Sequence, residues 1–266
     1  MSIISQWLED PVGYLLSLLP LIPAILPALI LHEVAHGYTA YRLGDPTAKF
    51  MGRLSLNPLK HLDLWGTVCM FVIGLGWAKP VPVDPRFFKH KRRDIFLVSI
   101  AGITANLIMF LLGCAMMYAF IFAAMNAVPA DQWISQGLIT ETTATTTYYI
   151  PRADLIRYAY GMGENLIVPY LGKIWGFVFE VVSRFTTINL CLAVFNLIPM
   201  PPLDGYRLVN TLLPNGSPFT SQRIAQICQG IMMLLVFTGV LGDGISFVVE
   251  HVLDGMGALV CTIAGF

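Results

Sequence analysis

Apolar residues run for membrane-spanning lengths along this chain at about 12–42, 95–128, 170–199, 224–241 and 245–264. A helix needs about 20 predominantly apolar residues to cross a hydrocarbon core. The pattern therefore predicts an all-α polytopic membrane protein with about five transmembrane helices. A further apolar stretch, Leu62–Leu75, is short for a crossing and is interrupted by glycines. Pro20, Pro23 and Pro27 predict kinks in the first run, and the last two runs read as a hairpin around Gly242. Within 43–93 two stretches look extended. Lys49–Asn57 alternates, with Arg53 and Ser55 on one face and Leu54 and Leu56 on the other. Trp77–Pro85 contains Lys79-Pro80-Val81-Pro82-Val83, whose prolines forbid a helix and suit an edge strand. A small β-strand element is expected there. It reads either as an interfacial cap over the helices or as an edge that holds an extended substrate chain.

Charge orients these elements. Ten of the sixteen Lys and Arg residues fall between Arg42 and Arg93, against three acidic residues in the same window. Basic loops stay on the cytoplasmic side, so both flanks of Leu62–Leu75 belong there. That stretch is then re-entrant or membrane-embedded; the alternative is a crossing that puts the Arg86–Arg93 cluster outside. The N-terminus falls outside, the first helix runs inward, and the Thr-rich segment 129–168 is an external loop. Residues 1–266 read as one integral membrane domain with no internal repeat. Hydrophobic residues make up 56% of the chain and charged residues 12%, against about 25% charged in soluble domains. Formal net charge is zero, which gives no electrostatic basis for nucleic-acid binding. The five cysteines are scattered without a CxxC pair and read as small buried hydrophobes. Met1–Asp10 lacks a basic n-region, so no cleavable signal peptide is predicted.

Three ionisable residues interrupt the first apolar run, as His32-Glu33-Val34-Ala35-His36. Such groups are costly in a bilayer and need a reason. On a helix, His32 and His36 lie one turn apart on one face, so both imidazoles can reach one tetrahedral Zn²⁺. Glu33 then sits beside the open coordination position as a general base. The bland alternative is a pair of hydrogen-bonded core histidines. Catalytic zinc usually takes three protein ligands, and Asp204 is the candidate for the third. It follows a proline-broken stretch, Asn196-Leu197-Ile198-Pro199-Met200-Pro201-Pro202-Leu203. Irregular backbone at membrane depth is tolerated where protein buries it or water lines it. Asp204 can otherwise be read as the N-cap of a helix over Gly205–Leu213.

HExxH in the first helix together with Asn-x-x-Pro-x-Pro-x-Leu-Asp-Gly late in the chain resembles the site-2 protease family of intramembrane zinc metalloproteases, peptidase family M50. Gly44–Lys49, Gly52–His61 and Gly76–Val83 resemble its small bacterial branch without PDZ or CBS domains, and the matching stretches run from about Leu31 to Leu208. The resemblance implies one zinc per chain on His32, His36 and Asp204, with Glu33 as base and Asn196 stabilising the oxyanion. Ala101-Gly102-Ile103-Thr104-Ala105-Asn106 is similar to the family's Ala-Gly-Pro-x-x-Asn, with Ile103 in place of proline. It implies an auxiliary or substrate-binding part for Asn106, which otherwise reads as a helix-to-helix hydrogen bond. The implied substrates are transmembrane protein segments. The implied location is a bacterial inner membrane, with the active site toward the cytoplasm. A metal-ion transporter is a different class of reading, but it calls for inverted repeats or paired discontinuous helices and has no need of Glu33. A non-proteolytic zinc-containing binding protein is a third.

Overall fold

Proline placement decides where the helix carrying His32 begins. The computed structural model describes residues 9–73, 76–127, 168–213 and 222–263. Helix α1 (Pro11–Ser17) ends before Pro20, and α2 (Leu21–Arg42) starts directly after it. Pro23 falls in the first turn, where a missing N–H costs nothing, and Pro27 alone lies in the interior. After α2 come a helical turn α3 (Thr47–Phe50), then α4 (Leu64–Ile73), α5 (Lys91–Ala127), α6 (Val168–Leu197), α7 (Asp204–Leu212), α8 (Gln222–Phe237) and α9 (Val240–Ile263).

Among the described residues three helices, Leu21–Arg42, Lys91–Phe120 and Leu171–Leu197, are long and apolar enough to cross a membrane alone, where hydropathy predicted about five. The pair α8 and α9 passes only when taken together, with the two parts bent by 72°. The break falls at Gly239, whose φ is +81°, while Gly242 lies inside α9. The expected hairpin around Gly242 is thus a bend three residues earlier. The expected external loop lies outside the described residues up to 167, as do Gly74 and Leu75 at the end of Leu62–Leu75.

Polarity is distributed as a bilayer demands. Ile108, Leu112, Ile174 and Trp175 are exposed, while Asn106, Thr186 and Asn189 are fully buried. Polar groups in hydrocarbon are costly, so they turn inward to other helices. This is an integral membrane protein. Helix α5 is the central element. Its Phe110 and Cys114 pack with Leu190 of α6 and with Val249 and Leu253 of α9. Ile103 packs with Ala193 of α6 and Leu208 of α7. Val98, near the start of α5, packs with Ala40, near the end of α2, and with Phe88. Helices α2 and α5 therefore run antiparallel.

The region 43–93 departs from the expected small β-strand element. Residues 47–50 are helical because the buried Asp45 carboxylate accepts the Thr47 N–H at 2.9 Å and its hydroxyl at 2.5 Å. Asp84 N–H donates to the other Asp45 oxygen at 2.7 Å, tying this turn to the segment before α5. Sheet pairing among the described residues shrinks to one antiparallel bridge, Leu62 with Ala78, beside a 2.7 Å bond from Lys79 N–H to the His61 carbonyl. Pro80 and Pro82 carry no N–H, and Val81 N–H is taken by Glu33, so no N–H from 79 to 82 is free to pair with a substrate chain. Arg53, buried, donates to the carbonyls of Lys79 at 2.5 Å and Pro80 at 3.3 Å. The segment is a strap over α2 with its Lys79 and Val81 N–H groups already engaged. Helix α4 has 10 residues, about 15 Å at 1.5 Å per residue, half a hydrocarbon core. The Leu62–Ala78 bridge holds the two feet of this excursion together.

Candidate active site

His32 and His36 project from α2 one turn apart, their rings edge to face with centroids 4.6 Å apart. Their Nε2 atoms approach to 3.0 Å. His36 Nδ1 lies 2.7 Å from the Val98 carbonyl of α5. A carbonyl only accepts, so Nδ1 carries the proton and Nε2 keeps its lone pair for a metal. The pairing of α2 with α5 thus fixes the tautomer of this ring.

Asp204 arrives from α7. Leu203 is the N-cap, and Asp204 opens the first turn without a capping bond. Its Oδ2 lies 3.3 Å from His32 Nε2 and 2.9 Å from His36 Nε2. The capping alternative for Asp204 is not what the structure adopts. The chain can turn this sharply because residue 205 is glycine. A Cβ there would sit 2.4 Å from the Leu197 carbonyl oxygen and 2.5 Å from that of Ile198, so α7 folds directly onto the end of α6.

Two nitrogens and one oxygen converge at 2.9–3.3 Å. Three corners of a tetrahedron around zinc, with bonds of ~2.0–2.1 Å, stand ~3.3 Å apart. The donor set fits zinc, and so does the space beside it. A Cβ on Gly102 of α5 would lie 2.4 Å from His36 Nε2 and 2.6 Å from His32 Cε1. Any side chain at 102 would collide with the rings at their ligating edge. Among the described residues this is the one cluster of His, Cys, Asp or Glu suited to a metal.

Glu33 stays out of the cluster. Its Oε2 accepts the Val81 N–H at 2.8 Å, which fixes the carboxylate one residue along the chain from His32. Asn196 donates its amide to the Leu192 carbonyl of its own helix at 3.0 Å. Asn106 is fully buried, and neither amide atom has a hydrogen-bond partner. Sequence reasoning missed Val98 and Val81, which act through main-chain groups that any residue carries. It also missed the space at Gly102, although the Ala-Gly pair was in view.

The peptidase family M50 model matches residues 20–239. The chain is 38% identical over 204 residues to "Putative zinc metalloprotease YwhC" of Bacillus subtilis strain 168, covering 76% of this chain and 74% of that protein. It is 33% identical over 190 residues to "Putative zinc metalloprotease Rip2" of Mycolicibacterium smegmatis, covering 66% and 70%. The protein of the same name from Mycobacterium tuberculosis H37Rv is 27% identical over 235 residues, covering 85% and 69%. No solved structure matches the chain.

Proposed function

From the premise that this chain belongs to peptidase family M50 and is a zinc metalloprotease of the site-2 protease kind, we propose that His32, His36 and Asp204 hold the ion and that Glu33 is the general base. The observation that carries this reading is the convergence of three candidate ligand atoms, those of two buried histidines and a partly buried aspartate, beside a carboxylate that lies outside the cluster. Zinc, when bound, supplies Lewis-acid polarisation of the scissile carbonyl and acidifies water. The remaining work falls to the chain. Val98 holds His36 with its Nε2 toward the metal. Val81 N–H holds Glu33 by one oxygen, leaving the other to take a proton from the attacking water. Glu33 then delivers that proton to the leaving amide nitrogen, so hydrolysis yields a carboxylate and an amine. Asn196 Nδ2 has a second N–H beyond the one given to Leu192, and it donates to the developing oxyanion.

The substrates are membrane-embedded segments, cut near their cytoplasmic ends. A helical substrate hides its carbonyls in its own hydrogen bonds and must unwind locally before attack. The basic 43–93 region and the active site face the cytoplasm, α4 enters and leaves on that side, and the membrane is the bacterial inner membrane. Five crossings require α8 and α9 to span separately.

The test is Glu33→Gln, incubated in detergent with single-span substrates. General-base loss costs about 10²–10⁴-fold in rate while ground-state binding persists. The variant should keep its zinc, retain substrate and cleave almost none of it. Wild-type cleavage by Glu33→Gln would sink the mechanism. Zinc flux through proteoliposomes with no cleavage by the wild type would favour a transporter.

A further inference from the structure

The two imidazoles are not held alike. His36 Nδ1 is anchored on the Val98 carbonyl, whereas His32 Nδ1 is buried with no partner. An imidazole that ligates metal through Nε2 carries its proton on Nδ1, and that N–H is given to an acceptor which fixes the ring plane. Buried polar groups without partners are few in folded proteins and each calls for an explanation. Others among the described residues include Asn106 Oδ1, Asn106 Nδ2 and Asn189 Oδ1, and Ser99 Oγ one turn before Gly102. Both asparagines are fully buried.

The register of α2 against α5 brings Asn106 toward His32. A Cβ on Gly102 would stand 2.6 Å from His32 Cε1, the carbon bonded to Nδ1. Asn106 is four residues further along α5, on the same face, with Cβ positions ~5–6 Å apart. Because α2 and α5 are antiparallel, that step runs toward the N-terminal end of α2, the direction in which the α2 side chains lean. The His32 ring lies that way. On the other side, Ile103 packs with Ala193, Phe110 with Leu190, and a Cβ on Gly113 would stand 2.2 Å from Thr186 Oγ1, so Asn189 lies nearer the level of Phe110 than that of Asn106. The pair that remains is His32 Nδ1–H as donor and Asn106 Oδ1 as acceptor.

We propose that Asn106 is the positioning residue for the zinc ligand His32, its amide oxygen accepting the Nδ1–H. The two groups make no bond to each other as the structure stands, so bonding requires a side-chain rotation within the α2–α5 interface. This rests on the reading that His32, His36 and Asp204 hold the metal. It explains the asymmetry between the rings: one is held by main chain, the other by a side chain.

The experiment measures zinc affinity of the full-length protein in detergent, by competition with a chromophoric chelator, alongside the visible spectrum of the Co²⁺-loaded form. Asn106→Leu fills similar space without an acceptor, and Asn106→Asp keeps one. Loss of an outer-shell partner typically costs 10–100-fold in metal affinity. Asn106→Leu should weaken zinc by that factor and shift the cobalt bands, and Asn106→Asp should recover most of the affinity. Should Asn106→Leu fail to fold, Asn106→Ala against Asn106→Asp makes the same comparison. Wild-type affinity and an unchanged cobalt spectrum in Asn106→Leu or Asn106→Ala would overturn the proposal, with any fall in thermal stability then marking a plain helix contact. The His32→Ala, His36→Ala double variant is measured in parallel. If it keeps full zinc stoichiometry, the ligand assignment has failed instead.

Discussion

At the scale of single residues, the site is defined as much by a missing side chain as by those present. His32, Glu33 and His36 announced themselves by spacing, because a metal needs donors at i and i+4 of a helix and a base next to them. Asp204 was legible from its proline-broken surroundings. Gly102 was not, since a glycine in an apolar run has many ordinary explanations. With His36 Nε2 only 2.4 Å from its would-be Cβ, Gly102→Ala should weaken zinc by more than ~100-fold, beyond the usual cost of an outer-shell change. Overpacking should also lower stability by about 1–3 kcal/mol. Metal analysis after dialysis, paired with thermal unfolding, checks both. Near-normal zinc in the alanine variant would show that α5 yields at this point and that the glycine is not required. Ile103, where the family pattern has proline, has a structural account: it is buried between Ala193 and Leu208.

At the scale of elements, hydropathy located α2, α5 and α6 well and the short pieces between α2 and α5 poorly. Long helices are legible because hydrocarbon length imposes a minimum apolar run. Short irregular elements depend on partners far away in sequence. Lys49–Asn57 alternates as a strand would, yet Asp45 nucleates a helical turn over its start. The strap at 77–83 keeps its extended shape but spends its donors on His61 and Glu33. With the feet of α4 joined at Leu62 and Ala78, Lys49 and Lys89 should lie on one membrane face. Single cysteines at these exposed positions, in a background lacking the native cysteines, should label with an impermeant reagent from the same side of sealed vesicles. Labelling from opposite sides would make α4 part of a full crossing and reverse the direction of every later helix.

At the scale of the whole molecule, the candidate metal cluster joins α2 to α7, and α5 backs it through Val98 and Gly102. An ion bound only by the folded state adds stability by mass action, about 2.7 kcal/mol at free zinc 100 times its dissociation constant. Chelation should therefore lower the thermal midpoint reversibly, and readded zinc should restore it. In the His32→Ala, His36→Ala variant the chelator should change nothing; an equal shift there would put the stabilising ion elsewhere. The membrane class and the chemistry were written locally in the chain. Apolar run length is a one-dimensional property, and HExxH needs only one helix to present its groups. Everything that turns those groups into a site came from packing. Which nitrogen of His36 faces the cluster depends on a carbonyl 62 positions away, and Asp204, the proposed third ligand, lies 168 positions beyond His36. The hand on Glu33 is a main-chain N–H of the strap. Main-chain donors and acceptors are the same at every residue, so no pattern of side chains could have named them before the helices were assembled.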